Sequence, residues 1–461
     1  MWIDHWVAAC LVPLAIWILL SGLDDLFIDL VYWLTGRRQA GRPAPSEPDG
    51  TSERRIAILV PLWREDRVIG HMLKRNLAAL RYANYDVFVG VYPNDQPTAR
   101  AVAKVARRQA RVHLAMCSRD GPTSKGDCLN GAYAAMEEHE AAHAIRYEVV
   151  VTHDAEDLIH PESLRLISRF SRYYEMVQVP VLPLATGCCE FTHGIYCDEF
   201  AEYQIKDIPV RQRLGGFLPS NGVGTGFARV ALDRLAKQQG GRVFDPECLT
   251  EDYETGYCLH AMGNRQIFIP VDFDASGPVA TREYFPRSFR TAVRQRGRWV
   301  AGIALQGWER HGWRASWKQR YWFWRDRKGL VGNLFSPAAN LFCLYGLATS
   351  LAASASGGAW HLGSHLPHWL VCLSGCTLCL SMVQTGVRIG ATARIYGWYF
   401  AAGVVFRMPR ANLVNCAATL EGLRQFFGAR IRRSALVWIK TEHVYPTFEV
   451  PTTATSPAAR T

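Results

Sequence analysis

Three acidic side chains follow a short apolar run in the stretch E-V-V-V-T-H-D-A-E-D, residues 148–157. Residues 148–152 are mostly β-branched and apolar, which predicts a buried strand of a parallel sheet. Asp154, Glu156 and Asp157 then lie at the carboxyl end of that strand, where open α/β sheets bind ligands. Carboxylates two residues apart suit a hard divalent cation, which prefers oxygen ligands and often shares them with phosphates. A solvated strand end before a helix fits the same residues, so this stretch alone leaves both interpretations open.

Two further groups carry side chains that could act on a charged substrate. Thr250, Glu251 and Asp252 form the triplet T-E-D at the start of a helix-like segment. Thr250 is expected to cap that helix, and the two acids would also suit the positive end of its dipole. The segment 294–300 reads R-Q-R-G-R-W-V. Arginines beside an aromatic ring are typical of a diphosphate clamp, although an amphipathic surface helix gives the same pattern.

The elements that would position these groups alternate between strands and helices. The apolar runs predict strands at 55–62, 86–92, 112–117 and 148–152, with helices at 67–80 and 125–143. This alternation predicts a parallel, doubly wound α/β sheet.

Polar residues follow three of these strands, at 63–66, at Asn94-Asp95 and at 154–157. Because the carboxyl ends of parallel strands meet at one edge, their convergence favours a nucleotide site. The glycine-rich segment 215–226 lacks the G-x-G-x-x-G spacing of a dinucleotide loop. We expect it to be a close-approach loop that lines the pocket.

Composition indicates a soluble domain attached to a few membrane spans. The 461 residues are 49% apolar, the mean hydropathy is −0.05 and the net charge is +11. The basic residues cluster beside apolar runs, which favours an anionic membrane surface over nucleic acid as their partner. The 13 cysteines lack the paired spacing of zinc sites, so we expect a reducing compartment around the soluble part.

The membrane segments divide the chain. Residues 6–23 carry no charged side chain, and the arginines that follow place the next segment in the cytoplasm. Residues 329–387 also lack fixed charges and are long enough for two spans. The predicted organisation is an N-terminal transmembrane segment (1–36), a linker (37–53), the catalytic domain (54–312), an interfacial helix (313–328), two transmembrane helices (329–387), interfacial or cytoplasmic helices (388–446) and a disordered tail (447–461).

Taken together, the motifs resemble the membrane-bound family 2 glycosyltransferases of the GT-A fold. The likeness is strongest to the phage adsorption protein B group, with cellulose synthase-type enzymes more distant. The residues that carry it are V-P-L-W-R-E-D (60–66), Asn94-Asp95, S-K-G-D-C-L-N (124–130), D-A-E (154–156), T-E-D (250–252) and Q-R-G-R-W (295–299). D-A-E departs from the usual D-x-D, so the second metal ligand stays open between Glu156 and Asp157.

The resemblance implies a role for each matching residue. Asp252 would be the catalytic base with Glu251 beside it, and Gln295 and Trp299 would bind the acceptor. Asp154 and Glu156 would hold Mg²⁺ or Mn²⁺. The residues implied in donor binding are Pro61, Trp63, Glu65, Asp95, Lys125, Asp154 and Arg298.

The resemblance also implies an activity and a place in the cell. We expect an inverting glycosyltransferase of the hexosyltransferase type that moves a sugar from a nucleotide-sugar, a UDP-sugar, to a growing envelope polysaccharide. The expected place is the bacterial inner membrane with the catalytic domain in the cytoplasm, and an outer-membrane export partner is expected. Transfer to a polyprenyl-phosphate lipid is an alternative, as is a non-catalytic docking or export component. Relatives often carry a further domain similar to cyclic-dinucleotide-binding modules, and we expect none within these 461 residues.

Overall fold

The computed structural model describes residues 2–36, 53–436 and 445, and it divides the chain into two compact units. Of the described residues, the sheet unit comprises 53–184, 211–285, 433–436 and 445, and the helical unit comprises 2–36, 185–210 and 286–432. The predicted tail and nearly all of the predicted linker lie outside the described residues.

The elements follow one another along the chain in a mostly alternating order. The strands are β1 (Ile56–Pro61), β2 (Tyr85–Val91), β3 (Val112–Met116), β4 (Val149–Thr152), β5 (Met176–Gln178), β6 (Val181–Pro183), β7 (Thr225–Ala228), β8 (Gln266–Phe268), β9 (Phe273–Asp274), β10 (Gly277–Pro278) and β11 (Thr281–Glu283). The helices are α1 (Trp2–Gly36), α2 (Ile69–Ala79), α3 (Gln96–Ala106), α4 (Lys125–His143), α5 (Ser163–Phe170), α6 (Phe191–Glu202), α7 (Ile208–Arg213), α8 (Arg229–Gln238), α9 (Glu251–Ala261), α10 (Phe289–Trp299), α11 (Gly307–His311), α12 (Trp317–Arg327), α13 (Gly329–Ser356), α14 (His361–His365), α15 (His368–Tyr396), α16 (Trp398–Ala401) and α17 (Val404–Ile431), with π-helical turns at Tyr203–Asp207 and Val300–Gln306.

A seven-stranded sheet in the order β3-β2-β1-β4-β7-β5-β8 forms the centre of the sheet unit. Strands β3, β2, β1 and β4 run parallel, whereas β7 runs antiparallel to β4 and β5. The predicted α/β sheet is confirmed, because every strand and helix predicted between residues 55 and 152 is present within a few residues. Isoleucine and valine side chains of β1 and β4 are buried in one core, as expected for strands covered on both faces.

Strand β7 was not predicted, because it lies at the end of the glycine-rich segment. Glycine has little intrinsic preference for a strand, so the neighbouring strands must hold β7 in place. Its Thr225 pairs with Thr152 on one side and Gln178 on the other. Gly226 is required there, because a Cβ at that position would overlap the Ile167 side chain.

The helical unit contains the three helices of the described residues that are long and apolar enough to cross a membrane. They are Ile3–Thr35, Trp317–Ser356 and His368–Tyr396. The aromatic and basic segment predicted as an interfacial helix forms α12, and Lys328 alone separates it from α13. The second of these helices therefore begins within the basic segment rather than after it.

Acidic residues in the second half of α1 pair with basic residues of other helices in the same unit. Asp24 lies 2.7 Å from both Arg325 and Lys328, and Asp29 lies 2.7 Å from Lys206. A charge is costly to bury unless a partner neutralises it. These pairs therefore explain how α1 continues past residue 23, where its uncharged stretch ends.

Arg407 is the largest fully buried side chain of the described residues, with 1% of its surface exposed. Its guanidinium donates two hydrogen bonds to Asp198, at 2.7 and 2.8 Å, and one to the Phe400 carbonyl at 2.8 Å. Two glycines make room for it, because a Cβ at Gly194 or Gly403 would overlap the arginine side chain. The pair therefore joins α6 to α17 inside the helical unit.

We predict that Asp198→Asn destabilises the protein by about 3–5 kcal/mol, because it leaves a buried guanidinium without its counter-charge. Thermal unfolding of the full-length protein in detergent measures this. The double variant Asp198→Leu/Arg407→Met, which removes both charges, should recover most of the loss. Arg424→Gln breaks an exposed pair with Glu421 and should cost far less, because solvent screens that pair. Equal losses for the buried and exposed pairs would contradict the assignment.

Candidate active site

Asp95 joins the loops that follow β1 and β2. Its carboxylate accepts a hydrogen bond from the Arg64 backbone at 2.6 Å and caps α3 by accepting one from the Thr98 backbone at 3.5 Å. Only 4% of the residue is exposed. The sequence predicts Asp95 as a donor-binding residue. In the structure its carboxylate accepts hydrogen bonds from two backbone N–H groups, and these bonds hold the two loops together.

The loop after β3 is pressed against aromatic rings of the first two loops. The rings of Trp63 and Tyr92 meet edge to face, with centroids 5.4 Å apart. A Cβ at Gly121 would lie within 2.8 Å of both rings. The Asn94 side chain donates to the Gly121 carbonyl at 2.6 Å and accepts from its N–H at 2.8 Å. The loops that follow β1, β2 and β3 therefore lie side by side at one edge of the sheet. Pro61, the last residue of β1, and Glu65, in the loop after it, belong to the same edge.

Lys125, the first residue of α4, is the cation at the centre of this edge. Its ammonium lies 2.8 Å from the Asp154 carboxylate and 4.0 Å from that of Glu251. Burial alone would lower the pKa of Lys125, but Asp154, Glu251 and Asp252 raise it above its ordinary value. The lysine therefore stays charged and holds the acid loop after β4 near the T-E-D triplet.

Asn130 and Gly126, in the same motif as Lys125, support the segment that leads to T-E-D. The Asn130 amide donates to the Phe244 carbonyl at 2.7 Å and accepts from the N–H groups of Val243 and Phe244. A Cβ at Gly126 would lie 3.0 Å from the Asp245 carbonyl oxygen. The motif thus contains one charged residue that faces the carboxylates and two that position the backbone.

The two acids of T-E-D have different surroundings. Glu251 is buried, whereas Asp252 is partly exposed. Burial and the neighbouring charge of Asp252 raise the pKa of Glu251 to about 7. Thr250 occupies the predicted N-cap position of α9, but its side chain makes no capping hydrogen bond.

The glycine-rich loop approaches these acids closely, as its composition suggested. Gly222 has a φ of +78°, and a Cβ there would lie 2.7 Å from Asp252 Oδ2 and 3.3 Å from Lys125 Nζ. The buried Gln178 holds the loop, because its side chain accepts from the Asn221 N–H at 2.9 Å and donates to the Val223 carbonyl at 3.0 Å. Sequence reasoning missed Gln178, and its only signal was a single polar residue within an apolar run.

Asp157 is part of the protein interior. Its carboxylate lies 2.7 Å from His153 Nδ1 and accepts a hydrogen bond from the Asp154 N–H at 3.0 Å. Burial lowers the pKa of His153 to about 3 and raises that of Asp157. The Asn76 side chain of α2 also donates to the Asp157 carbonyl at 2.8 Å. These contacts fix the acid loop while Asp154 faces Lys125, and the sequence did not reveal His153 or Asn76.

The Q-R-G-R-W segment belongs to α10 of the helical unit. Arg296 is buried, 2.5 Å from Glu199 and 2.7 Å from Asn415. The Trp299 ring lies 6.2 Å from the Tyr196 ring, in an edge-to-face arrangement. The other two predicted site residues, Gln295 and Arg298, are partly buried on the same helix. The structure therefore brings Lys125, Asp154, Glu251 and Asp252 together within the sheet unit, whereas the Q-R-G-R-W residues belong to the other unit.

The raised pKa of Glu251 predicts a pH-dependent stability. Because the folded protein binds this proton more tightly than the unfolded chain, the stabilisation is complete below about pH 4.5 and is lost as the pH rises through about 7. Glu251→Gln, which stays neutral, should be more stable than the parent at pH 8, by up to roughly 3 kcal/mol, and similar at low pH. Thermal unfolding between these limits, with EDTA present, measures the difference. Glu138→Gln, at an exposed position on α4, is the control, and a parent curve parallel to that of Glu251→Gln would contradict the prediction.

Comparison with known proteins supports the resemblance seen in the motifs. Residues 54–302 match the family described as "Glycosyltransferase like family 2". The chain is 37% identical over 460 residues to bacteriophage adsorption protein B of Escherichia coli K12 and, equally, to bacteriophage N4 adsorption protein B of E. coli O157:H7. Each alignment covers 94% of this chain and 62% of the relative, so the chain spans under two thirds of the length of these relatives.

A solved structure supports the fold. A mannosyltransferase from Pyrobaculum calidifontis, in complex with GDP-Man and Mn²⁺, superimposes with a TM-score of 0.52. It is 18% identical, and the match covers 90% of this chain and 99% of that one. The α/β sheet unit therefore has the GT-A fold. Because the family match covers more than half of the chain, the chain belongs to glycosyltransferase family 2.

Proposed function

We propose that the protein is an inverting glycosyltransferase that moves a sugar from a nucleotide-sugar, a UDP-sugar, to a growing envelope polysaccharide. The observation that carries the proposal is the meeting of Lys125, Asp154 and Asp252 around Gly222, at the carboxyl ends of the parallel strands. A cation that faces several carboxylates at this edge is typical of a site for a diphosphate and a reacting hydroxyl.

Asp252 is our choice for the general base that takes the proton from the acceptor hydroxyl as it attacks the anomeric carbon. Asp252 is partly exposed, whereas Glu251 is buried with its pKa raised to about 7. An exposed carboxylate can reach a bound hydroxyl. Glu251 is then one of the carboxylates that keep Lys125 charged. The Lys125 ammonium would neutralise negative charge on the leaving diphosphate.

We infer that Asp154, whose carboxylate lies 2.8 Å from Lys125, and Glu156, two residues later, hold a divalent metal ion. Asp154 and Glu156 offer only carboxylate oxygens, the ligands that Mg²⁺ and Mn²⁺ prefer. We assign the second ligand to Glu156, because the Asp157 carboxylate is engaged with His153 and the Asp154 backbone. The bound ion would supply positive charge to the leaving diphosphate.

The remaining site residues keep the roles that the family motifs imply. Pro61, Trp63 and Glu65 lie on the same edge and would contact the nucleoside, with Asp95 holding their loop. Arg298 would add positive charge at the diphosphate, and Gln295 and Trp299 would bind the acceptor. Three candidate membrane helices agree with an inner-membrane protein whose catalytic unit faces the cytoplasm, where nucleotide-sugars are made.

A second candidate is a docking component for the cell envelope, and the names of the curated relatives favour it, because both are called adsorption proteins. A lipid-linked acceptor such as a polyprenyl phosphate is the alternative within the enzyme class. Incubation of the full-length protein with Mn²⁺ and a panel of UDP- and GDP-sugars distinguishes transfer to a polymer, transfer to a lipid and docking without catalysis. Mass analysis should show a glycosylated polymer with a UDP-sugar, whereas a glycosylated lipid would favour the alternative. Absence of both hydrolysis and transfer for every donor would favour docking.

We predict that Asp252→Asn lowers turnover by about 10²–10⁴-fold while UDP binding stays close to that of the parent, because the change removes only the base. Initial rates and isothermal titration with UDP and Mn²⁺ measure the two effects. Asp154→Ala should instead abolish metal-dependent UDP binding, and Asp157→Ala should affect it less. If Glu251→Gln stops turnover and Asp252→Asn keeps it, the base is misassigned.

Gly222→Ala should reduce turnover by at least about tenfold, because its Cβ would press on the Asp252 carboxylate 2.7 Å away. Gly240→Ala is the matched control. Gly240 also has a positive φ, +67°, but a Cβ there meets no atom within 4 Å. Both variants carry the same kind of backbone strain, so only the contact differs. Equal rates for the two would show that the close approach at Gly222 has no part in catalysis.

A further inference from the structure

A second group of possible metal ligands lies at the opposite end of the parallel strands from Lys125. Asp86 is the second residue of β2 and His113 the second of β3, so both stand at amino ends. His139 lies on α4, fourteen residues after Lys125, which is about 21 Å along the helix. This group is therefore separate from the carboxylates of the candidate active site.

The three side chains already lie close together and are partly buried. One ligand atom from each, an Asp86 oxygen and a ring nitrogen of His113 and His139, lies within 4.8 Å of the others. His113 Nε2 is 3.2 Å from Asp86 Oδ1, and the His113 and His139 ring centroids are 4.3 Å apart. No other such group of histidine, cysteine or carboxylate ligands occurs in the part of the chain that the structure describes.

Two neighbours, Tyr147 and Phe88, orient the ligands. The Tyr147 hydroxyl donates to Asp86 Oδ2 at 2.7 Å, which turns Oδ1 toward His113. The His113 ring stacks on Phe88 at 4.8 Å, with an interplanar angle of 23°. Such outer contacts fix ligand orientation in metal sites.

We propose that Asp86, His113 and His139 form a Zn²⁺ site on the sheet unit. Two imidazoles and one carboxylate suit a borderline ion such as Zn²⁺, whereas Mg²⁺ and Mn²⁺ prefer oxygen ligands alone. Zn–N and Zn–O bonds of about 2.0–2.2 Å in a tetrahedral site separate neighbouring ligand atoms by roughly 3.4 Å. The Asp86–His113 distance of 3.2 Å already meets this, and the His139 nitrogen lies within 4.8 Å of both ligand atoms.

The site would join three elements at one side of the sheet. Strand β3 is the edge of the sheet, and it pairs with β2 alone. An ion held by β2, β3 and α4 would tie this edge strand to the helix whose first residue is Lys125. The role is structural, and it is independent of which donor or acceptor the active site uses.

A hydrogen-bonded cluster without metal is the competing interpretation, because the Asp86–His113 bond and the ring contacts need no ion. The two differ in a measurable way. A metal site binds one equivalent of Zn²⁺ and loses that affinity when any of the three ligands is replaced. A hydrogen-bonded cluster changes stability on substitution but shows no saturable binding.

The experiment uses full-length protein in detergent, free of any histidine tag and stripped with a chelator. Zn²⁺ is titrated against a chromophoric indicator, and Co²⁺ is added separately to record the visible bands of a bound ion. The variants are Asp86→Asn, His113→Gln and His139→Gln. His71→Gln, at an exposed position on α2, is the matched control, and Asp154→Asn removes the proposed active-site ligand.

The parent, His71→Gln and Asp154→Asn should each bind one equivalent of Zn²⁺, and Zn²⁺ should raise their unfolding temperature. The three ligand variants should bind at least about tenfold more weakly and show no such rise. Circular dichroism without metal identifies any variant that fails to fold, and the folded ones decide the question. No saturable Zn²⁺ binding by the parent, or equal binding by a folded ligand variant, would overturn the proposal.

Discussion

The charge balance around Lys125 is the constraint on which the candidate active site depends. One partly buried ammonium faces Asp154, Glu251 and Asp252, which come from segments almost a hundred residues apart. Burial and the neighbouring charge of Asp252 disfavour ionisation of Glu251, and its raised pKa is the consequence. Such a site is suited to ligands that bring positive charge of their own or that exchange a proton with a carboxylate.

Neutral side chains hold the loops that present these charges. Asn76, Asn130 and Gln178 each hydrogen-bond backbone groups of a loop that carries or adjoins a site residue. Amides can do this because they both donate and accept while adding no charge of their own. Gly222 and Gly126 then allow the loops to approach without side chains between them. At these positions amides and glycines therefore determine the geometry without adding charge beside Lys125.

The sequence predicted the elements better than it predicted these supports. The helix predicted at 125–143 has those bounds in the structure, because a long segment with a clear cap reveals its own ends. Strand β7 and the role of Gln178 depend on residues distant in sequence, which no local pattern reports. Asp95 shows the same limit: a motif identified it correctly as a strand-end acid, but only the fold shows that backbone groups occupy its carboxylate.

The two units differ in how their buried charges are balanced. This difference distinguishes a network of ion pairs that stabilises the fold from a site that binds a ligand. In the helical unit Arg407 has its own carboxylate in Asp198. Lys206 lies 2.7 Å from both Asp29 and Glu202 and 3.7 Å from Asp207. Arg325 adds positive charge beside Asp207. There Arg388 also pairs with Glu202, and burial would raise the pKa of Glu202 but the charges of Arg388 and Lys206 lower it to about 2. Around Lys125 the carboxylates outnumber the cation three to one. Balanced pairs stabilise a fold without needing a ligand, whereas excess negative charge at a strand edge is a cost that only a bound cation or proton can relieve. This asymmetry is the physical reason to place the chemistry in the sheet unit.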